Sequence, residues 1–245
     1  KAFAELDTEE KRRIRSSTIH AIIFEQKHPR NDTGMFQIFE RINTGGRTLK
    51  AQEIRNCVYQ GKCNDLLFEL NKHDSWRKIL GLNVEDSRMA DLELILRYFA
   101  MRDLHIRNEG QLKQINLAKY LNKYMGDKTN STGEDILDMK QDFITMIDKV
   151  FELLGKNAFK NLKKESENFA SKINPAIFDA ISVATSYAIK TEYKFTEGNY
   201  LEKYKRLLKN EEFHRASSSR TTNIENIKTR IQIAAEFLYG VTYEW

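Results

Sequence analysis

The sequence predicts a mainly α chain in two parts: a short mixed α/β stretch over residues 1–60, then a helical domain over 61–245. Three observations carry this. Only 2 Pro and 11 Gly interrupt 245 residues. Lys, Glu, Leu, Ile and Asn recur in long runs with the 3.6-residue helical period. One segment alone, Thr18-Ile-His-Ala-Ile-Ile-Phe24, is apolar and β-branched enough to read as a strand. At 40% hydrophobic and 11% aromatic, the chain can bury one or two substantial cores. Its longest apolar runs, such as Leu92-Glu-Leu-Ile-Leu96, are interrupted by charge. None approaches the roughly 18 apolar residues that a membrane helix requires, so no membrane partner is expected.

The first element is a short helix opened by Asp7 and Glu10 in capping-box spacing. The Thr18–Phe24 strand follows, then a polar loop over Gln26 to Asp32. Met35, Ile38, Phe39 and Ile42 recur at i, i+3, i+4 and i+7, which predicts a helix with one apolar stripe against a core. Asn43-Thr-Gly-Gly46 ends it, and a second helix, capped by Thr48, runs through Ala51, Ile54 and Val58. From Asn64 onward only helices are expected, at about 64–72, 90–105, 115–125, 133–154, 158–170, 175–191, 199–210 and 223–239. Ser131 with Glu134, and Thr222 with Glu225, have capping-box spacing. Gly155 can stop the long helix, and Asn174-Pro175 is a cap followed by Pro in the first turn. The break at Asp127 to Gly133 is linker-like. Trp76 reads as a core anchor.

The Asn43–Gly46 turn is the most informative feature. Adjacent glycines permit positive φ and close backbone approach, and the free amides of the next helix favour an anion. Taken on spacing alone, a helix C-cap without a ligand explains the turn as well. Downstream, Gln52, Arg55 and Asn56 share a helix face, and Glu53 lies beside them. An internal hydrogen-bond network and contact with a ligand are both open to these residues.

A net charge of +5 and a pI near 9.0 permit nucleic-acid contact without demanding it. Basic clusters occur at 11–15, 160–164 and 203–209, all on expected helices beside acids, where they serve either as solvated faces or as phosphate contacts. Tyr200 and Tyr204 interleave with Lys205, Arg206 and Lys209, a pattern that also suits base stacking. Ser217-Ser-Ser-Arg-Thr-Thr-Asn223 precedes a helix N-terminus. Ser219, Arg220 and Thr221 there form either a phosphate grip or a capped loop.

Cys57 and Cys63 lack the His or Cys companions of a zinc set and read as reduced thiols of a cytoplasmic protein, Cys57 on the buried side of its helix. The five histidines form no nuclease pattern, so a catalytic nuclease centre is not expected within this chain.

The run Phe36-Gln-Ile-Phe-Glu-Arg-Ile-Asn-Thr-Gly-Gly-Arg-Thr-Leu-Lys-Ala-Gln-Glu-Ile-Arg-Asn56 closely resembles the signature of the GmrSD-type restriction-enzyme N-terminal domain family. Ala2 to Leu6, Thr18 to Phe24, Met89 to Ala100 and Ser217 to Asn223 resemble further segments of that family, most closely over residues 1–100. The resemblance implies a ParB- and sulfiredoxin-like nucleotide-binding fold, of which residues 1–60 are the C-terminal remnant, joined to a helical domain. It also implies a role in restricting foreign, often modified, DNA.

The family's Asp-Gly-Gln-Gln-Arg run, tied to nucleotide hydrolysis, is absent from this chain. It is expected in sequence upstream of Lys1, and the chain alone is expected to be inactive. Asn43 and Leu49 have the separation of a ParB motif whose Asn contributes to binding nucleotide phosphate and its Mg²⁺. By that likeness Asn43 is the residue expected near phosphate or metal. Thr44, Gly45, Gly46 and Arg47 would supply hydroxyl, backbone and cationic groups. A nucleoside triphosphate with Mg²⁺, DNA and a nuclease partner or missing N-terminal segment are therefore the expected ligands and partners. A non-enzymatic helical module that binds protein or nucleic acid is the competing expectation.

Overall fold

The computed structural model describes residues 2–18, 34, 38, 41, 48–82, 84–104, 113–163 and 166–245. Two compact units divide the chain at Asn31/Asp32. In the first, a 3₁₀ turn, Phe3–Glu5, leads to helix α1, Thr8–Ser16. Asp7 accepts from the Glu10 amide at 2.8 Å and donates its own amide to the Glu10 carboxylate at 3.0 Å, the reciprocal box that the spacing predicts. No residue of α1 is buried.

The second unit is mainly helical. In chain order its helices are α2 (Ala51–Val58), α3 (Lys62–Asn71), α4 (Asp74–Leu80), α5 (Ala90–Arg102), α6 (Leu117–Lys128) and α7 (Gly133–Leu154). A two-stranded antiparallel hairpin of β1 (Lys160–Leu162) and β2 (Phe169–Ile173) follows. Then come α8 (Pro175–Lys190), α9 (Tyr200–Lys209), α10 (Glu211–Ser218) and α11 (Ile224–Tyr239). Helix α8 is the central element and packs against α5, α7 and α11. Ala176, Ala180, Ala184 and Ala188 recur every fourth residue along it and are all buried, so neighbouring helices can approach closely without a large side chain between them. Asn174 caps α8 by accepting from the Ala176 amide at 2.9 Å, with Pro175 at the first turn. Trp76 is fully buried between Phe143 and Phe178, and its indole N–H donates to Asn71 at 3.0 Å.

Several expectations are corrected. Where a helix is expected at 158–170, the described residues instead hold β1 and the start of β2. Gly155, at φ 58°, ends α7 as its position suggests, and Phe159, at φ 64°, then redirects the chain into β1. The polar Lys/Glu/Asn composition there mimics a helix surface. Packing decides otherwise, because Phe169 stacks on buried Tyr204 and the Lys160 carbonyl accepts from the Tyr204 hydroxyl at 2.7 Å.

Helix α4 was not expected; left-handed Gly81, at φ 68°, terminates it. The helix expected to end near 210 is followed at once by α10, since Asn210 closes α9 and caps α10 by accepting from the Phe213 amide at 2.8 Å. The capping box of α7 is Thr132 with Asp135, one residue later than expected, and the cap of α11 is Asn223 rather than Thr222. Thr48 does not cap α2. Lys50 holds that position, and its amide donates to Glu53 at 2.6 Å.

Ile38, expected in a core-facing stripe, is 39% exposed. Met35, Phe39 and Ile42, and the expected strand from residue 19 onward, lie outside the described residues. Among the described residues, no helix is long and apolar enough to cross a membrane.

Cys57 is exposed and Cys63 buried, the reverse of the expectation for Cys57. Burial pushes the Cys63 thiol up to about 11. A thiol-reactive dye at pH 8 should therefore label one cysteine of the native chain rapidly and the second only in denaturant. Two fast-reacting thiols in the folded protein would contradict this packing.

Candidate nucleotide and nucleic-acid site

Asn43, Thr44, Gly45, Gly46 and Arg47 lie outside the described residues, and so does the expected metal contact of Asn43. The geometry begins immediately after them. Helix α2 is short, and its amphipathic pattern turns Gln52, Ile54 and Arg55 inward. Arg55 is 1% exposed. Its guanidinium donates to Gln52 at 3.0 Å, to Asn122 of α6 at 2.8 Å and to Glu93 of α5 at 2.9 Å. Burial lowers the Arg55 pKa, and the Glu93 carboxylate opposes that shift.

Arg88 adds a second tie. It donates to the Thr48 carbonyl at 2.7 Å and pairs with Glu53 at 3.1 Å. Asn56 accepts from Asn64 of α3 at 2.8 Å. Gln52, Glu53, Arg55 and Asn56 are thus bonded among themselves and to side chains of α3, α5, α6 and Arg88, which holds α2 and residues 48–50 ahead of it.

The Ser217–Asn223 segment is partly helical, because Ser217 and Ser218 finish α10. Beyond them, Arg220 is exposed and left-handed, at φ 46°. Three of the loop's carbonyls accept side-chain hydrogen bonds from α11. Asn226 donates to Ser219 and Arg220 at 3.0 and 3.2 Å, and Arg230 donates to Thr221 at 2.7 Å. Arg230 is fully buried and also reaches Asp179 at 3.2 Å, while Arg97 grips the same carboxylate with two bonds of 3.0 and 2.6 Å. Burial would lower both guanidinium pKa values. The bidentate Asp179 contact raises that of Arg97 nevertheless, whereas Arg230, with one such bond and Arg97 nearby, stays lowered. The loop is therefore seated from beneath by an Arg97–Asp179–Arg230 triad that joins α5, α8 and α11. The triad is not among the residues that the sequence singles out, because its members lie in three helices far apart in the chain, each of which carries other charges as well.

In the basic cluster of α9, Lys205 pairs with Glu202 at 2.8 Å and approaches Glu167 at 3.8 Å, and Lys209 also pairs with Glu167. Arg206 is exposed. Tyr200 and Tyr204 are 4% and 0% exposed, so neither offers a face to a base. The stacking role open to them in the sequence is withdrawn, since their rings serve the core.

A cavity of about 840 Å³ lies elsewhere, lined by Arg102, Asp103, Asp142, Tyr187, Lys190 and Trp245 among others. None of the expected site residues lines it. Arg102 there is paired with both Asp103 and Asp142. No group of three or more His, Cys, Asp or Glu among the described residues could hold a metal ion.

No family model, curated protein or solved structure matches this chain.

Proposed function

We propose that the chain is the C-terminal, mostly helical part of a GmrSD-type protein that restricts foreign DNA, and that residues 1–60 belong to its ParB- and sulfiredoxin-like domain. In that reading the Asn43–Arg47 turn and an upstream Asp-Gly-Gln-Gln-Arg segment together bind a nucleoside triphosphate with Mg²⁺. The helical domain then couples nucleotide state to DNA or to a nuclease module, in the cytoplasm.

The observation that supports this most is the clamp on α2. A buried guanidinium satisfied by Gln52, Asn122 and Glu93 is a costly way to hold an ordinary helix–turn–helix junction. It is well suited to holding a turn that must keep a fixed geometry for a ligand. Asn43 and Arg47 would then contact phosphate and metal, while Gln52, Glu53, Arg55 and Asn56 position them. Ser219, Arg220 and Thr221 remain a second phosphate grip, seated on Arg230.

The coding sequence upstream of Lys1 tests the assignment first. An Asp-Gly-Gln-Gln-Arg run there, with Mg²⁺-dependent hydrolysis of ATP or GTP by the extended protein, is the expected result. An upstream sequence without that run, joined to a protein that binds no nucleotide, would favour a helical interaction module.

A further inference from the structure

The fold brings together two basic clusters that are 40 residues apart in sequence. The hairpin lies on α9 through the Tyr204 hydroxyl, which donates to the Lys160 carbonyl at 2.7 Å, and through the Phe169–Tyr204 stack. Among the described residues, Lys156, Lys160, Lys163 and Arg206 form no salt bridge. Lys205 and Lys209 stand one helical turn apart, about 6 Å along the axis. Lys209 pairs with Glu167 at the hairpin's turn, and Lys205 lies 3.8 Å from the same carboxylate while pairing with Glu202 of its own helix at 2.8 Å. Glu167 is itself 61% exposed on its side chain, so it can be displaced.

We propose that this composite face, with Lys156, Lys160 and Lys163 on the hairpin side and Lys205, Arg206 and Lys209 on α9, docks the phosphate backbone of duplex DNA. Glu167 acts as a resident counter-ion that a phosphate replaces. The inference rests on the DNA-restriction reading above and locates its nucleic-acid contact.

Three observations choose this partner. The patch is polycationic, as backbone binding requires. Its aromatic residues, Phe169 and Tyr204, are stacked on each other and Tyr204 is buried, so the stacking platform that a single strand needs is missing from the described face. The large exposed hydrophobic residues of the described chain (Phe3, Ile14, Ile38, Leu82, Val84, Leu137 and Phe237) all lie outside the hairpin and α9. Apolar anchors for a protein hot spot or a lipid surface are therefore lacking there.

The test is fluorescence anisotropy of a labelled 30-base-pair duplex titrated with the 245-residue chain at several salt concentrations. Binding at low salt should weaken steeply as salt rises. The K156E/K160E/K163E variant should bind at least tenfold more weakly, with a log–log salt slope smaller by about 2.7, or 0.9 per lost phosphate contact. Glu167→Gln should bind several-fold more tightly, a gain that misfolding cannot imitate. No duplex binding at low salt, no effect of the triple reversal, or an unchanged affinity in Glu167→Gln would each overturn the proposal. So would polyglutamate or a single strand competing as well as duplex at equal charge. Nucleotide titration of the upstream-extended protein separates the two readings: loss of duplex binding on hairpin reversal, alongside failure to bind nucleotide, would uphold this surface and remove the NTP-dependent reading.

Discussion

Asp179→Ala should destabilise the folded chain by about 3–5 kcal/mol, because it leaves a fully buried Arg230 and a nearly buried Arg97 without a counter-charge. Against a total stability of about 5–15 kcal/mol for a domain, that is enough to unfold much of the population near physiological temperature. Urea unfolding followed by circular dichroism measures it. The partner control is the triple replacement Arg97→Met, Asp179→Leu, Arg230→Met, which removes all three charges. It should recover much of the loss, since the penalty arises from unpaired buried charge rather than from the absence of an ion pair. An Asp179→Ala midpoint equal to wild type would mean that the triad does not hold α5, α8 and α11 together.

The second large effect is expected at Arg55. Arg55→Ala removes three hydrogen bonds and strands the side chains of Gln52 and Asn122, each of them nearly or fully buried. The cost should be about 2–4 kcal/mol, less than at Asp179, because Glu93 is one-third exposed and can turn to water. Arg55→Lys should recover little, since an ammonium cannot span the three acceptors in a planar fork. The site reading adds a second consequence. In the upstream-extended protein, Arg55→Lys should also weaken nucleotide binding without touching the ligand, whereas a substitution of equal thermodynamic cost far from α2, such as Trp76→Phe, should not.

Much of the helical architecture was legible because its signals are local. Asp7-x-x-Glu10, Asn174-Pro175 and Gly155 mark boundaries through a cap, a fixed φ and a chain reversal that belong to those residues themselves. The hairpin was not legible, because its polar composition fits a helix surface and only the tertiary contacts of Phe169 and the Lys160 carbonyl with Tyr204 select a strand. Cys57 was misplaced for a related reason. Helix α2 is so short that a one-position shift of its inner face exchanges buried for exposed, and the polar Gln52 and Arg55 share that face with Ile54. Of the candidate site, the polar run Gln52–Asn56 could be picked out by motif, but its partners Asn122, Glu93, Arg88 and Asn64 are set by packing. The Arg97–Asp179–Arg230 triad spans 133 positions in the chain, from 97 to 230, and no local pattern announces it.

The central claim is that the Asn43 turn holds nucleotide phosphate and Mg²⁺ on a scaffold fixed by α2. Calorimetric titration of Mg²⁺-ATP and Mg²⁺-GTP into the upstream-extended protein and its Asn43→Ala variant tests it most directly. The account predicts saturable binding by the wild type and a loss of about 1.5–3 kcal/mol in the variant, roughly 10- to 150-fold in Kd, with the unfolding midpoint unchanged. Wild-type affinity in Asn43→Ala would contradict it.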